Sequence, residues 1–242
     1  MQISNNKILI TGGASGIGLG LTERFLQENN IVIICGRRAD TLKAVSDRFP
    51  SIITKTCDLS KATEREELYT WISENHPDLN VLVNNAGIQH WMNIDDPDFF
   101  DLAKEEIVIN IEAPIHLSSL FIKLKSLRTI MNVSSGLSFV PLTKAPVYSG
   151  TKAFFHSFTL SLRHLLSSKN IEVIEIIPPA LNTDLGGKGL HDHAPPVSDF
   201  IQSIFEQLKL GSTTLTFGFS EAMLKAGPDE LQKAFEKMNP GN

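Results

Sequence analysis

Seven short apolar segments, separated by helical patterns and polar loops, constrain the fold of this chain most strongly. Segments 31–35 and 81–83 are apolar throughout, as expected for strands that are covered on both faces. Strands that alternate with helices predict βαβ units, which require a mostly parallel sheet with right-handed crossovers. The predicted strands are 7–11, 31–35, 52–57, 81–83, 128–133, 171–177 and 213–217.

The predicted fold is therefore α/β, a Rossmann-type doubly wound sheet of seven strands with helices on both faces, in three layers. Two long helices are expected at about 98–125 and 148–168. Because no repeat, low-complexity tract or linker divides the chain, we expect one domain over residues 1–242. It would carry a substrate loop at about 181–200 and a C-terminal helical segment at about 220–239.

Composition narrows the class of protein. With 42% hydrophobic and 20% charged residues, the chain of 242 residues is typical of a globular protein. The formal net charge of −5 gives no excess of positive charge to bind a nucleic-acid backbone. No apolar run approaches the ~20 residues of a membrane span. The two cysteines suggest no disulfide framework. We expect a cytoplasmic protein with neither nucleic acid nor membrane as a partner.

A glycine-rich turn follows the first predicted strand and opens the first helix. Gly12, Gly16 and Gly18 lack a Cβ atom, so the main chain there can approach a pyrophosphate closely and direct N–H groups towards it. The spacing is a variant of the common dinucleotide-binding pattern. The alternative is a glycine-rich turn without a ligand, but the strand–turn–helix context favours a dinucleotide.

Two arginines follow the second strand, where a cofactor with a free ribose 2′-hydroxyl usually meets Asp or Glu. Gly36 takes that place here, and Arg37 and Arg38 come next. Guanidinium groups can bind a 2′-phosphate through charge-assisted hydrogen bonds. The sequence therefore predicts NADP(H), unless both arginines are solvated residues at the start of a helix.

Ser135, Tyr148 and Lys152 form the candidate catalytic set. Tyr148 and Lys152 share one face of a predicted helix, one turn apart, and Ser135 ends the preceding strand. An ammonium beside a phenol favours phenolate, so we expect the pKa of Tyr148 to lie below its ordinary value. These side chains suit proton transfer at a carbonyl oxygen.

In these motifs the sequence resembles the short-chain dehydrogenase/reductase family, along nearly its whole length up to about residue 190. It is most similar to a bacterial subgroup with Pro-Pro in place of Pro-Gly after the sixth strand, here Pro178 and Pro179. The motifs match in order: Thr11 with the glycines up to Gly18, Asp58-Leu59, Asn84 to Gly87, Asn110, Ser135, and Tyr148 with Lys152.

The resemblance implies a role for each catalytic candidate. Tyr148 would be the acid/base, and Ser135 would hold the substrate oxygen. Lys152 would bond the nicotinamide ribose and lower the pKa of the tyrosine. Asn110, within the long helix, would position a water that relays protons through Lys152.

The resemblance also implies a cofactor site. Asp58 would accept from the adenine amino group, Leu59 would pack on the ring, and Leu181 and Thr183 would reach the carboxamide. The complete set of expected cofactor contacts is Gly12, Ser15, Gly16, Ile17, Gly18, Arg37, Arg38, Asp58, Leu59, Asn85, Ala86, Gly87, Tyr148, Lys152, Leu181 and Thr183.

The expected pocket wall consists of residues 89–92, 137–140 and 184–196, although Trp91 and Phe139 could equally be ordinary packing residues. His191 and His193 lack a third ligand at sensible spacing, so we expect no metal.

The sequence thus predicts an NADPH-dependent reductase of a small ketone or aldehyde. The alternatives are an alcohol dehydrogenase or dehydratase on the same frame, and a non-catalytic NADP sensor. By resemblance we expect a homo-oligomer, a tetramer or a dimer. Its contact would use helices 98–125 and 148–168 through Ile115, Leu117, Phe121, Phe155, Phe158 and Leu162.

Overall fold

The computed structural model describes residues 1–241, which form one seven-stranded sheet flanked by helices. The strands are β1 (Lys7–Thr11), β2 (Ile31–Gly36), β3 (Ile53–Thr56), β4 (Val81–Asn84), β5 (Thr129–Val133), β6 (Glu172–Ile177) and β7 (Thr214–Thr216). Their spatial order is β3-β2-β1-β4-β5-β6-β7, and every adjacent pair is parallel. The predicted α/β fold, its strand count and its parallel pairing are confirmed.

Nine α-helices connect and cover these strands within residues 1–241. They are α1 (Gly16–Gln27), α2 (Ala39–Arg48), α3 (Ala62–Asn75), α4 (Phe99–Ile107), α5 (Ala113–Phe121), α6 (Pro146–Leu166), α7 (Val197–Lys209), α8 (Phe219–Lys225) and α9 (Pro228–Met238). No helix among these residues is both long enough and apolar enough to cross a membrane.

Alternate strand residues enter two separate cores. Ile8 and Ile10 on β1 join the core under α1, α2 and α7, whereas Leu9 between them joins the core under α3, α5 and α6. This follows from the two-residue period of a strand, and it explains why the strands read as continuous apolar runs. The result is the predicted three-layer arrangement.

The helix expected at 98–125 is interrupted and ends earlier than predicted. Between α4 and α5, residues Val108–Glu112 form a π-helical turn, and α5 ends at Phe121. Pro114 lacks the N–H that an α-helix would donate to the main-chain oxygen of Asn110, so a uniform α-helix cannot continue through this region. The wider turn coincides with a candidate site residue, as π-turns often do.

Most of the apolar residues that we expected at a subunit contact are core residues. Leu117, Phe121, Phe155 and Leu162 are buried within the chain itself, so the reasoning that assigned them to a subunit contact is wrong. Other apolar side chains on α4 and α6 face outward instead: Phe100, Ile107, Phe154, Leu160 and Leu165.

Candidate active site

The site candidates gather at the carboxyl ends of the central strands. β1 leads into the glycine turn, β4 into residues 84–87, β5 into Ser135, and β6 into Pro178. Since all these strands are parallel, their ends meet at one edge of the sheet, where doubly wound proteins bind ligands. The fold therefore brings together motifs that are far apart in the sequence.

Ser135, Tyr148 and Lys152 lie together and are almost completely buried, with 7%, 6% and 4% of their surface exposed. Ser135 caps the short 3₁₀-helix Gly136–Ser138, and its hydroxyl oxygen accepts from the N–H of Leu137 at 3.1 Å. Nζ of Lys152 donates to the main-chain oxygen of Val133 at 2.9 Å and lies 5.6 Å from the centre of the Tyr148 ring. The expected grouping is thus present in the structure.

The expected electrostatics differ from those in the structure. Burial raises the pKa of Tyr148 above its ordinary value, whereas a hydrogen bond with Ser135 acts to lower it and the charge of Glu106 raises it further. Burial also lowers the pKa of Lys152 to about 8. Our expectation of a lowered tyrosine pKa is therefore wrong for the protein alone, because burial disfavours the charged form of each group.

Asn110 clamps the segment that follows the β4 loop. Its Oδ1 accepts from the N–H of Ile88 and its Nδ2 donates to the oxygen of Ile88, both at 2.9 Å. Nδ2 also donates to Oγ1 of Thr151 on α6 at 3.1 Å. The side chain is therefore used to hold residue 88 and α6 together.

The glycine turn forms a cradle that only glycine can build. Gly12 and Gly16 have φ angles of +64° and +50°, and a Cβ at Gly18 would lie 2.2 Å from the main-chain oxygen of Gly12. Ser15 precedes α1 in an extended conformation and makes no side-chain capping bond, so the first N–H groups of α1 have no side-chain partner from it. Such a turn fits the pyrophosphate of a dinucleotide.

Thr11 and Asn85 fasten this cradle to the neighbouring strand. Oγ1 of Thr11 accepts from the N–H groups of Asn85 and Ala86, both at 3.0 Å. Nδ2 of Asn85 donates to the main-chain oxygen of Thr11 at 2.9 Å. The side chain of Asn85, which we expected along the cofactor, is therefore engaged in holding β1 and β4 in register.

The remaining cofactor candidates surround this cradle. Thr183 lies beside Gly16, since a Cβ at position 16 would be 3.5 Å from Cγ2 of Thr183. A Cβ at Gly87 would be 3.3 Å from Oδ1 of Asn110 and 3.6 Å from Nζ of Lys152, which leaves Gly87 between the two halves of the site. Leu59 is 7% exposed and packs in the core against α3, so little of its side chain is available to a ligand.

Arg37 and Arg38 are exposed at the end of β2, next to Asp58. Burial acts to raise the pKa of Asp58, but two hydrogen bonds from Ser60, together with the charges of Lys61 and Arg37, bring it below the ordinary value. The arginines and the Asp58 carboxylate thus occupy the same end of the site, as expected for an adenosine subsite.

A cavity of about 410 Å³ extends from the catalytic set towards the C-terminal segment. Its wall is largely apolar, with Gln89, Ser135, Tyr148, Thr183 and His191 as the polar side chains among the described residues. The other lining residues are Ile17, Gly136, Leu137, Leu142, Pro178, Pro179, Ala180, Leu181, Leu185, Pro195, Phe217, Gly218, Phe219 and Met238.

The expected pocket wall is only partly correct. Gln89, Leu137, Leu185 and His191 line the cavity, and Nε2 of His191 lies 3.1 Å from the main-chain oxygen of Leu185. Trp91 and Phe139 do not line it. The Phe139 ring packs edge-on against His156 at 4.9 Å, so the packing interpretation holds for that residue.

Two contributors were missed in the sequence. Glu106 is completely buried, and one oxygen accepts from the N–H of His90 at 2.5 Å while the other has no partner among the described residues. Asn239 accepts from the N–H of Thr143 at 2.7 Å and donates to the oxygen of Pro141 at 3.0 Å, which brings Met238 into the cavity. In the sequence Glu106 directly follows Glu105 in an amphipathic helix, and nothing there distinguishes the buried acid from its exposed neighbour.

Comparison with known proteins gives consistent matches. A family model described as short chain dehydrogenase matches residues 6–193. The chain is 41% identical to the uncharacterized oxidoreductase DltE of Bacillus subtilis, over 99% of this chain and 98% of that protein. It is 31% identical to a serine 3-dehydrogenase of Rhizobium radiobacter, over 73% of this chain and 72% of that one.

The fold is also similar to solved structures. A short chain dehydrogenase from Burkholderia cenocepacia, in complex with NADP, superimposes with a TM-score of 0.84 over 100% of both chains, at 22% sequence identity. At that identity the likeness concerns the fold.

Proposed function

Because this chain belongs to the short-chain dehydrogenase/reductase family, we propose that it is an NADPH-dependent oxidoreductase that reversibly reduces a ketone or aldehyde. The observation that carries the proposal is that Ser135 and Tyr148 line a largely apolar cavity, with Lys152 buried beside Tyr148. A carbonyl compound would place its oxygen among these side chains and its apolar body along the wall.

The proposed cofactor is NADP(H). It is supported by Arg37 and Arg38 beside the Asp58 end of the site and by the glycine cradle at the start of α1. The Burkholderia protein of similar fold, whose structure contains NADP, gives further support. When bound, this cofactor would supply a hydride to the carbonyl carbon.

The chain's own residues would then manage charge and protons at the carbonyl oxygen. Tyr148 would donate its phenolic proton to that oxygen as negative charge develops. Ser135 would hydrogen-bond the same oxygen and position it. The ammonium of Lys152, held by the oxygen of Val133, would stabilise the phenolate that remains.

Burial also affects the protonation state of Tyr148. A phenol with an ordinary pKa is already neutral at pH 7, and burial raises the pKa of Tyr148 further, so Tyr148 carries the proton that the reductive direction needs. The same burial keeps water away from the reacting atoms and strengthens each electrostatic contact. The proposed proton relay, through Lys152 and a water positioned by Asn110, would restore the proton after each turnover.

We further propose a homo-oligomer, through the outward face shared by α4 and α6. Phe100, Ile107, Phe154 and Leu165 expose 71%, 40%, 42% and 66% of their surface, which is unusual for such large apolar side chains. The proposed compartment is the cytoplasm, in keeping with the free, buried thiols of Cys35 and Cys57.

The decisive experiment is a panel of ketones and aldehydes assayed by loss of NADPH absorbance, with cofactor binding measured separately. Turnover of at least one class of carbonyl compound that is lost in Tyr148→Phe would support the proposal. Tight NADPH binding without turnover across a broad panel would instead favour a cofactor-sensing protein. Oxidation of alcohols without measurable reduction would favour a dehydrogenase that works in the opposite direction.

A further inference from the structure

The cavity offers one polar side chain that the proposed chemistry leaves unused. Gln89 lines the cavity, is 8% exposed, and makes no hydrogen bond to any residue among 1–241. Its amide atoms keep some contact with open space, unlike the sealed side-chain atoms of Glu106 and Ser220 that also lack a partner. Its donor and acceptor are therefore available to a ligand in the cavity.

The main chain of Gln89 is held by bonds to the residues on both sides of it. Asn110 bonds both main-chain groups of Ile88, and Glu106 accepts from the N–H of His90. Gly186 of the loop after β6 closes against the amide, since a Cβ there would lie 3.2 Å from Nε2 of Gln89. The main chain of Gln89 and one side of its amide are therefore held before a ligand binds, which lowers the ordering cost of binding.

The rest of the wall carries no fixed charge. Among the described residues that line the cavity, Tyr148 and His191 are the only titratable ones, and Lys and Arg are absent. A carboxylate or phosphate on the substrate would lose its hydration in this cavity without gaining a permanent cation. A neutral polar group would lose far less and could pair with Gln89.

We propose that Gln89 is a specificity-determining residue that selects an uncharged carbonyl compound with a second, neutral hydrogen-bonding group. This rests on the proposed function only in taking the ligand to be a carbonyl compound. The 31% identical relative is named for serine, which carries a carboxylate and an ammonium group. The wall described above is unsuited to both charges, so the substrate class differs from that of this relative.

The test uses matched probes of two lengths. Levulinamide, levulinate and 2-hexanone differ in having an amide, a carboxylate or an ethyl group at the same place. Acetoacetamide, acetoacetate and 2-pentanone repeat the comparison with a shorter spacing, so that reach does not decide the result. Each is assayed by kcat/KM with NADPH and by equilibrium titration of the NADP-loaded enzyme.

For at least one spacing, kcat/KM of the wild-type enzyme should be about three- to tenfold higher for the amide than for the probe with an ethyl group in its place. This is the range expected of one net hydrogen bond. It should prefer the amide over the carboxylate more than tenfold. In Gln89→Met, the amide-to-ethyl ratio should fall to about one or below. Gln202→Leu, a similar change on the exposed face of α7, should keep the wild-type ratios, and Gln89→Leu serves if the Met variant does not fold.

Several results would overturn the inference. A wild-type preference for the carboxylates, or an unchanged amide-to-ethyl ratio in the folded Gln89 variant, would show that Gln89 does not select the ligand. The titration yields the same ratios without turnover. If the protein binds the amides best through Gln89 but reduces none of the probes, the proposed function is refuted and this inference stands. If the protein binds all probes equally, this inference alone is refuted.

Discussion

The ammonium of Lys152 lies under the ring of Tyr148, 5.6 Å from its centre, and is bonded to the main chain of β5. This places a cation beside the phenol while a strand, not the phenol, holds it in position. Burial raises the pKa of the phenol and lowers that of the ammonium to about 8, so at neutral pH the phenol is uncharged and the ammonium still predominates.

Replacing Tyr148 by Phe should reduce kcat about 10²–10⁴-fold, because it removes only the proton donor. The ring remains and can keep its packing beside Lys152. The dissociation constant for NADPH, measured by fluorescence titration, should therefore stay close to wild type. A variant with nearly normal kcat would exclude Tyr148 as the acid.

Cofactor choice should depend on Arg37 and Arg38. Arg37→Ala/Arg38→Ala should raise KM for NADPH at least tenfold, since hydrogen bonds to a charged phosphate contribute about 1.5–3 kcal/mol each. KM for NADH should change little. Arg48→Ala, at the other end of α2 and paired with Glu23, is the matched control.

Adding a carboxylate at position 36 should extend this change. The nearest atom to a Cβ at Gly36 is Cδ2 of Leu42, 4.0 Å away, so a Cβ is accommodated there without a clash. The triple variant Gly36→Asp/Arg37→Ala/Arg38→Ala should prefer NADH, because the carboxylate accepts from a 2′-hydroxyl and repels a 2′-phosphate. The measurement is kcat/KM for both cofactors, and a wild type that already prefers NADH would contradict the assignment.

The titration of Glu106 should lower the stability of the folded protein as pH rises. Burial raises the pKa of its carboxyl to about 7, while the hydrogen bond from the N–H of His90 acts to lower it. Between its ordinary pKa of 4.5 and about 7, the folded state binds the proton more tightly than the unfolded state. The stabilising contribution of the neutral acid is therefore present at low pH and is lost as pH rises through about 7.

Glu106→Gln removes this titration. The variant should be more stable than wild type at pH 8, and the difference should shrink towards pH 5, as measured by urea unfolding. Tyr148 and His90 face the carboxyl and are unchanged in the variant. Glu67→Gln, exposed on α3 and in no ion pair among the described residues, should show no such dependence, and a parallel response of both variants would contradict this account.

The C-terminal segment should affect the carbonyl substrate and not the cofactor. Asn239→Ala removes the two bonds to Pro141 and Thr143 and frees Met238 from the cavity wall. We expect a several-fold increase in KM for the carbonyl compound at unchanged NADPH affinity. Gln232→Ala, on the exposed face of α9, is the control, and equal effects of the two would refute a role in the pocket.

The subunit contact can be tested on α6. Phe154 stacks on Phe158 with ring centres 6.2 Å apart, and Leu165 continues the same stripe at helical spacing. Light scattering should report a dimer or tetramer for wild type and smaller species for Phe154→Asp/Leu165→Asp. Leu210→Asp, equally apolar and exposed beyond α7, should leave the assembly intact. A monomeric wild type at micromolar concentration would remove this proposal.

The sequence predicted the strands, their order of appearance and the positions of the motifs, because these depend on local patterns. Gly18 could be identified as an obligatory glycine, and the contact with the oxygen of Gly12 explains why. The direction of the Tyr148 pKa could not be predicted, since it depends on how fully α6 is covered by other segments. The contact between Asn239 and the loop at 141–143 depends on tertiary packing and had no sequence signal.

Misassigning Leu117 and Phe121 had a similar cause. The number of apolar residues on a helix shows that the helix is buried, but not whether the sheet or a second subunit covers it. The π-turn adds to this uncertainty, because it rotates α5 relative to the periodicity that α4 establishes.

The wider turn also makes the length of chain between α4 and α5 important to the site. A π-turn holds one residue more than the α-helical turn it replaces, so the extra residue is absorbed within the turn and the flanking helices keep their directions. Deleting a single residue from Val108–Glu112 would let the helix close its ordinary bonds while Leu117 and Phe121 continue to face the sheet. The loss would fall on Asn110, whose alignment with Ile88 depends on its place in the wider turn. Such a deletion should therefore disturb the candidate site more than the packing of α5.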